Sequence, residues 1–395
     1  MKVVFSTGRP AHVALPANLL MQRGVEVTIY TAAYRSRFHD LASGAQLRWA
    51  PQLVPSIHFL TGVQLPRPYQ RVDTAIYDNL VAVRMGLANE RCEVFWGWAS
   101  GALAAGRAAR HRGASFVLDR ACPHVDAQQA LVRMECDRLG VPYQAEPHWF
   151  RARQIAEYEE ADTILVPSDY SRRSFPLDLR AKVIVAPLYG RVSARHLIER
   201  GKTAGAANIA HTKECFTFGT VGGQPLRKGF LYLLQAWEKL RLPNARLLIR
   251  TDADPHRFPA LRELLRRLPN VEIVGYLADM SAFYRRCDAF VLPTIDDGFG
   301  MALLEAMAHG LPSIATTHCG ATELFQPGHD LLRVPPQDSI ALAEAVERIY
   351  TSAELREQLR MNAMNALRRI EGKGSYERYS QALDMILADA KTRRA

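Results

Sequence analysis

Two carboxylates flank a glycine-rich turn late in the chain. Asp297 stands at the mouth of the turn formed by Gly298, Phe299 and Gly300, and Glu305 follows Asp297 by eight positions. Free amides at the start of a helix favour an anion such as a diphosphate. Carboxylates are strong acceptors for the hydroxyl groups of a sugar or a ribose. On spacing alone, the alternative to a ligand site is an ordinary strand–helix–strand crossover. In that case Asp297 would be solvated and Glu305 would lie on the helix surface.

The residues around this turn predict a strand, a helix and a second strand. Residues 288–293 (DAFVLP) form an apolar run that ends at a proline, which is typical of a short buried strand. Residues 301–308 have helical spacing. Gly310 and Pro312 end that helix, and a further strand follows over 313–316.

A second segment has the composition of a phosphate-binding loop. Residues 216–221 predict a strand, a Gly-Gly turn that includes Gly223 follows, and an apolar-periodic helix starts near Leu231. Lys228 lies where the strand passes into the helix, with Arg227 directly before it. Both could neutralise a phosphate, or both could be solvated surface cations.

Together the two segments resemble the signature of glycosyltransferase family 4, a group of retaining sugar transferases with the GT-B fold. Glu305 matches the second acid of that signature, and Asp297 stands at the first acid with one methylene less than the usual glutamate. Lys228 and the glycine after it match the family's Lys-Gly. Gly223 stands where the family has an arginine, and Arg227 is the candidate to take over part of its charge.

The resemblance implies a role for each of these residues. Glu305 would bind the donor ribose, Asp297 the transferred sugar, and Lys228 the diphosphate. The predicted catalytic residues are Asp297, Lys228 and His124, and the predicted donor-binding residues are Glu305, Arg227, Gly298, Phe299, Gly300 and Gly223.

Several histidines are further candidates. His124 follows the run SFVLD and precedes a helix. In similar enzymes a histidine in this loop faces the donor sugar, whereas a helix cap or a surface position is the alternative. His12 could also face the cleft that a GT-B fold would have, and Arg9 could bind an acidic acceptor substrate. His309 and His318 flank the signature helix and are interpreted as structural.

Alternating strands and helices over the whole chain predict an α/β protein with doubly wound parallel sheets. The loop after the first strand lacks G-x-G-x-x-G, so a dinucleotide fingerprint is excluded there. By resemblance, this is a GT-B fold of two Rossmann-like domains that face each other across a cleft. The acceptor-side domain is assigned to residues 1–200, the nucleotide-sugar domain to 201–375, with a linker at 200–212. A helix at about 376–395 would cross back to the first domain.

Composition limits the partners and the compartment. The formal net charge is +10; residues 1–200 hold 25 basic and 18 acidic side chains, and residues 201–395 hold 25 and 22. A basic first half suits an anionic membrane surface or an acidic acceptor. No nucleic-acid-binding motif is present. The six cysteines are scattered without a C-x-x-C pair, which argues against a zinc site. The chain shows no signal peptide or membrane-spanning run, so we expect a cytoplasmic protein, with peripheral association at the inner membrane face as a further expectation.

The sequence therefore predicts a retaining, metal-independent glycosyltransferase without a cofactor. Its donor would be a nucleotide diphosphate sugar, and its acceptor a carbohydrate, lipid-linked or other hydroxyl group in polysaccharide, glycolipid or glycoconjugate synthesis. The alternatives are a GT-B phosphorylase, hydrolase or epimerase on a nucleotide sugar, or a non-catalytic nucleotide-sugar-binding protein. Asp252 and Asp254 form only a weak match to a metal-binding D-x-D pair.

Overall fold

The computed structural model describes residues 1–8, 13–33, 41–52, 67–187, 215–370 and 375–393. His12, Arg9 and the linker predicted at 200–212 lie outside these residues. Among the described helices, none is both long and apolar enough to cross a membrane.

The first sheet has seven parallel strands in the order β3-β2-β1-β4-β5-β6-β7. Its inner strands are almost wholly buried, as expected for a parallel sheet covered by helices on both faces. The strands are β1 (Lys2–Thr7), β2 (Glu26–Thr31), β3 (Gln46–Trp49), β4 (Val94–Trp98), β5 (Ser115–Asp119), β6 (Thr163–Val166) and β7 (Val183–Val185).

Seven described helices accompany this sheet. They are α1 (Ala14–Gln22), α2 (Arg67–Leu87), α3 (Leu103–Arg110), α4 (Val125–Arg138), α5 (His148–Glu160), α6 (Asp169–Arg173) and α7 (Leu177–Arg180). Helix α5 follows Pro147, which takes the N-cap position.

The second sheet has six parallel strands in the order β10-β9-β8-β11-β12-β13. The strands are β8 (Phe216–Val221), β9 (Ala245–Arg250), β10 (Val271–Val274), β11 (Ala289–Leu292), β12 (Ser313–Thr316) and β13 (Leu332–Val334). In both sheets the strand order reverses beside the first strand, which is the doubly wound arrangement that the sequence predicted. The α/β fold with two Rossmann-like units is confirmed.

The helices of the second half cover both faces of this sheet. They are α8 (Phe230–Leu240), α9 (Pro259–Arg267), α10 (Met280–Tyr284), α11 (Met301–Ala308), α12 (Ser339–Thr351) and α13 (Ala353–Arg369), with 3₁₀ turns at Pro255–Arg257 and Gly320–Leu324. One face packs a core that includes Trp237 and Val346, and the other packs a core that includes Phe290 and Met307.

Two helices connect the halves of the molecule. The last helix, α14 (Ser375–Thr392), buries Tyr379, Leu383 and Ile386 against the core of the first sheet. Helix α4 follows β5 of the first sheet, yet its Cys136 packs into the core of the second sheet. The two sheets are therefore held together by apolar packing in addition to polar contacts.

Candidate active site

The glycine turn lies at the junction of the two sheets. It connects β11 to α11, and Gly300 adopts φ +89°, where a Cβ would also overlap the sulfur of Cys319. A Cβ on Gly298 would lie 2.6 Å from the carbonyl oxygen of Ala121, in the loop after β5 of the first sheet. Glycine is therefore required at Gly300 for the backbone conformation and at Gly298 for the close approach of the two backbones.

The first sheet binds the turn directly through a serine pair. Ser168 donates a 2.6 Å hydrogen bond from Oγ to the carbonyl oxygen of Gly298, and Ser171 donates a 3.2 Å bond to the same atom. Glu323 accepts 2.7 Å bonds from the amides of Asp169 and Tyr170 at the start of α6. These contacts fix the turn in position from the opposite side of the cleft.

Lys228 and Asp297, two of the predicted catalytic residues, form an ion pair. The loops that carry them follow β8 and β11, which are neighbours at the point where the strand order reverses, the usual ligand position in such sheets. Their side chains are 13% and 16% exposed. A Cβ on Gly222 would overlap the Lys228 stem, so that glycine makes room for the lysine.

Two neighbouring cations stabilise the negative charge of Asp297. Burial raises the pKa of this carboxyl, but the positive charges of Lys228 and Arg227 outweigh burial and leave the pKa below its ordinary value. Asp297 is therefore ionised at neutral pH, ready to accept hydrogen bonds from hydroxyl groups.

Arg227 belongs to a buried polar cluster at the domain junction. Its Nη1 donates a 2.7 Å bond to the carbonyl oxygen of Asp296, and its Nε donates a 2.7 Å bond to Gln224. The buried Asp296 carboxylate also accepts bonds from Gln128 at 2.7 Å and from Tyr170 at 2.8 Å, both from the first-sheet side. The structure thus gives Arg227 a structural partner. Direct contact of its guanidinium with a diphosphate stays a prediction.

Glu305 lies on α11, two turns beyond the glycine turn. The hydroxyl of Tyr284 donates a 2.7 Å bond to its Oε2. Burial and then the charge of Glu305 raise the pKa of Tyr284 well above its ordinary value, so the phenol remains a donor. This bond orients the Glu305 carboxylate on the same helix whose N-terminus begins at the turn.

Arg250 is a cation at this edge that the sequence analysis missed. It ends β9, and its carbonyl oxygen accepts a 3.0 Å bond from the amide of Gly222, next to Gly223, where the resemblance implies an arginine. Its Nη1 contacts Asp252 at 2.8 Å, and its guanidinium lies 6.0 Å from the exposed ring of Tyr276. Within the described part of the chain its buried Nε has no hydrogen-bond partner. The strand reads ARLLIR and carries a second arginine, Arg246, so its sequence alone does not single out Arg250.

Gly223 itself borders open space. A Cβ at this position would meet no atom within 4 Å, so a side chain could be accommodated there. The resemblance implies an arginine where Gly223 stands, and Arg250 lies at the end of the adjacent strand.

His124 is placed as a helix cap. Its Nδ1 accepts a 3.2 Å bond from the amide of Asp126, and its ring packs 4.9 Å from Tyr158 and 5.2 Å from Phe175. It is 4% exposed, and burial lowers its pKa below the ordinary value. This geometry corresponds to the capping alternative. Contact between its ring and a donor sugar stays a prediction, although the loop before it touches Gly298.

The remaining candidates have local structural partners. His309 and His318 each bring Nδ1 close to a backbone carbonyl oxygen, at 2.7 Å from Glu305 and 2.8 Å from Ile295. Asp254 caps the 3₁₀ turn after β9 by accepting from the amide of His256. Over the residues that the structure describes, no cluster of three or more metal-binding side chains occurs.

Comparison with known proteins classifies the fold of the whole chain and matches the second half of the chain to a protein family. Residues 215–352 match the family model "Glycosyl transferases group 1". Over 98–100% of both chains, the structure is similar to a sucrose-phosphate synthase from Thermosynechococcus elongatus (TM-score 0.66, 17% identity) and to Anabaena Alr3699/HepE in complex with UDP and glucose (TM-score 0.60, 17% identity). The fold is GT-B, and the second half of the chain is similar to the glycosyl transferases group 1 family.

Two curated relatives, CapM and a sucrose synthase, match this chain over only part of its length. The capsular polysaccharide biosynthesis glycosyltransferase CapM of Staphylococcus aureus is 29% identical over 164 residues, which cover 40% of this chain and 42% of CapM. Sucrose synthase of Solanum tuberosum is 31% identical over 145 residues, 36% of this chain and 17% of that enzyme. The matches thus span less than half of either relative.

Proposed function

We propose that the protein is a retaining glycosyltransferase that moves a sugar from a nucleotide diphosphate sugar to an acceptor hydroxyl. The observation that supports this most is the Lys228–Asp297 ion pair beside the glycine turn, with Glu305 further along the helix that starts there. One site then offers a cation for the diphosphate, an acid for the sugar and an acid for the ribose.

The chemical problem in this reaction is the charge of the departing diphosphate. Cations and amides that are already in place stabilise this charge as the bond to the sugar breaks. Lys228, Arg250 and the first-turn amides of α11 supply such groups, and Arg227 adds positive charge from its cluster with Asp296. With these groups the reaction proceeds without a divalent metal and without a cofactor. Retention at the anomeric carbon is carried over from the resemblance to family 4.

The acceptor and the location are proposed from the relatives and the charge. CapM is named for capsular polysaccharide biosynthesis, and the HepE structure contains UDP and glucose. We therefore propose polysaccharide or glycolipid synthesis at the cytoplasmic face of a membrane, with UDP-sugars as the first donors to test.

A thermal-shift screen with UDP-, GDP- and ADP-sugars tests donor binding. A ligand that binds only the native state at 100 times its Kd adds about 2.7 kcal/mol to the stability. We expect at least one series to raise Tm in the wild type and to raise it less in the Glu305→Ala variant. Absence of any shift with all three series at millimolar concentration would contradict a donor site.

Glu305→Ala is expected to weaken binding of the nucleoside diphosphate about 10- to 100-fold, because a hydrogen bond to a charged group contributes about 1.5–3 kcal/mol. Calorimetry with the diphosphate and its 2′,3′-dideoxy analogue is the measurement. The analogue should bind the wild type and the variant equally, since it lacks the hydroxyls that Glu305 would bind. Glu344→Ala, an exposed glutamate on α12, is the matched control. Unchanged affinity in Glu305→Ala, or an equal loss for the analogue, would overturn the ribose assignment.

Arg250→Ala is expected to weaken nucleoside diphosphate binding about tenfold while leaving binding of the free nucleoside unchanged, because only a phosphate requires the cation. Adding Gly223→Arg to this variant should restore affinity, since Gly223 borders open space on the neighbouring loop. Arg262→Ala, an exposed arginine on α9, serves as the control. Wild-type affinity in Arg250→Ala would assign the charge to other groups.

A further inference from the structure

The outer face of α2 carries an apolar stripe that the core does not use. The inner face packs Tyr77, Val81 and Met85 into the core of the first sheet. The opposite face exposes a second set of large apolar side chains at helical spacing. They are Tyr69, Val72, Ile76, Val83 and Leu87, with exposures of 60%, 48%, 46%, 57% and 85%.

Trp49 extends the stripe beyond the helix. It ends the edge strand β3 and is 50% exposed, and Arg84 of α2 donates a hydrogen bond to its carbonyl oxygen. Large exposed apolar patches mark sites of interaction with proteins or membranes. Tryptophan beside arginine is typical of side chains at the boundary between lipid and water.

The exposed charges beside the stripe are basic, and the partly buried Glu146 of a neighbouring segment pairs with Arg71 of α2. Both aspartates of α2, Asp73 and Asp78, are buried, and Asp78 pairs with Arg153. Exposed Arg84 lies at the flank of the stripe, and exposed Arg91 follows the helix. The exposed Arg112 lies close beside Gly86 of α2. The exposed surface of α2 among the described residues carries no carboxylate.

We propose that this face of α2, together with Trp49, rests on an anionic phospholipid bilayer. An amphipathic helix that lies in the interface buries its apolar side chains beneath the headgroups, and its arginines contact the lipid phosphates. A second copy of the chain fits less well, because apposed stripes would bring the basic residues of two molecules with net charge +10 together. The assignment rests on the proposed membrane association but is independent of the transfer chemistry.

Co-sedimentation with vesicles tests the surface. The wild type is expected to pellet with vesicles of phosphatidylcholine and phosphatidylglycerol, less with phosphatidylcholine alone, and less as salt is raised. The double variant Val83→Glu/Leu87→Glu should bind the anionic vesicles at least about tenfold more weakly, because it removes two apolar contacts and adds two like charges. Ile340→Glu, which places the same change at a 56% exposed position on α12, should bind as the wild type does.

The outcomes separate the surface from the rest of the proposed function. Circular dichroism confirms that the variants fold, and donor binding shows that the active site is intact. If the wild type does not bind anionic vesicles, both the proposed membrane association and the proposed role of this surface are wrong. If the wild type binds and the double variant binds equally well, only the surface is wrong. If the double variant instead converts a dimer into a monomer in light scattering, the stripe is an interface between copies.

Discussion

Lys228→Ala is expected to lower kcat by about 10²- to 10³-fold, the loss typical of removing one preorganised donor from a developing negative charge. The lysine side chain is mostly buried and pairs with Asp297 beside the turn that begins α11. Binding of the free nucleoside diphosphate should weaken as well. Steady-state kinetics and calorimetry on the same preparation measure both effects.

The control for Lys228→Ala must separate the loss of the positive charge from a loss of stability. Removing the lysine leaves the Asp297 carboxylate without its partner, and breaking a buried pair from one side is destabilising. The double variant Lys228→Ala/Asp297→Asn removes the unpaired charge and should regain stability without regaining activity. Diphosphate affinity at the wild-type level in Lys228→Ala would show that Arg250 or another cation carries the charge.

Asp297→Asn is expected to lower kcat about 10- to 100-fold while nucleoside diphosphate affinity stays the same or rises. The acid would bind a hydroxyl of the transferred sugar, and a hydrogen bond to a charged group contributes about 1.5–3 kcal/mol. The free diphosphate lacks that sugar, and Lys228 loses a competing partner when Asp297 is neutral. Comparison of kcat with calorimetric affinity for the diphosphate is the measurement. Loss of diphosphate affinity would contradict a role at the sugar.

Asp297→Glu is the sharper form of the same test. It restores the acid length that the resemblance leads one to expect, at a position where the carboxylate already meets Lys228. Activity near that of the wild type would show that the site accepts either length. Complete inactivity with diphosphate binding intact would show a pocket fitted to the shorter acid.

Local patterns in the sequence were sufficient for the elements that carry the site. Proline and glycine end the strand and helix around the turn, and α11 spans Met301–Ala308 as the spacing predicted. The same holds for β8, where an apolar run meets a Gly-Gly turn. Spacing alone could also place Lys228 and Asp297 at the carboxyl ends of strands, although only the fold shows that these strands are neighbours.

Contacts between the two sheets could not be read from local patterns. Asp296 lies in the loop between β11 and α11, yet it is buried and binds Gln128, Tyr170 and Arg227 from distant parts of the chain. Arg250 became a candidate only when the pairing of β8 with β9 placed it beside Gly222. Periodicity reports which face of an element is apolar, whereas these roles depend on which elements meet.

Turnover of labelled donors with and without acceptor tests the central claim most directly. UDP-, GDP- and ADP-sugars are incubated with a panel of saccharide and lipid-linked acceptors, and nucleoside diphosphate release and the anomeric configuration of the product are measured. The account predicts that one donor series releases its diphosphate chiefly when acceptor is present, and that the sugar reaches the acceptor with its configuration retained. Equal release without acceptor would indicate a hydrolase, and a sugar phosphate product a phosphorylase. Donor binding without any release would indicate a binding protein, and each of these results would contradict the proposed transfer.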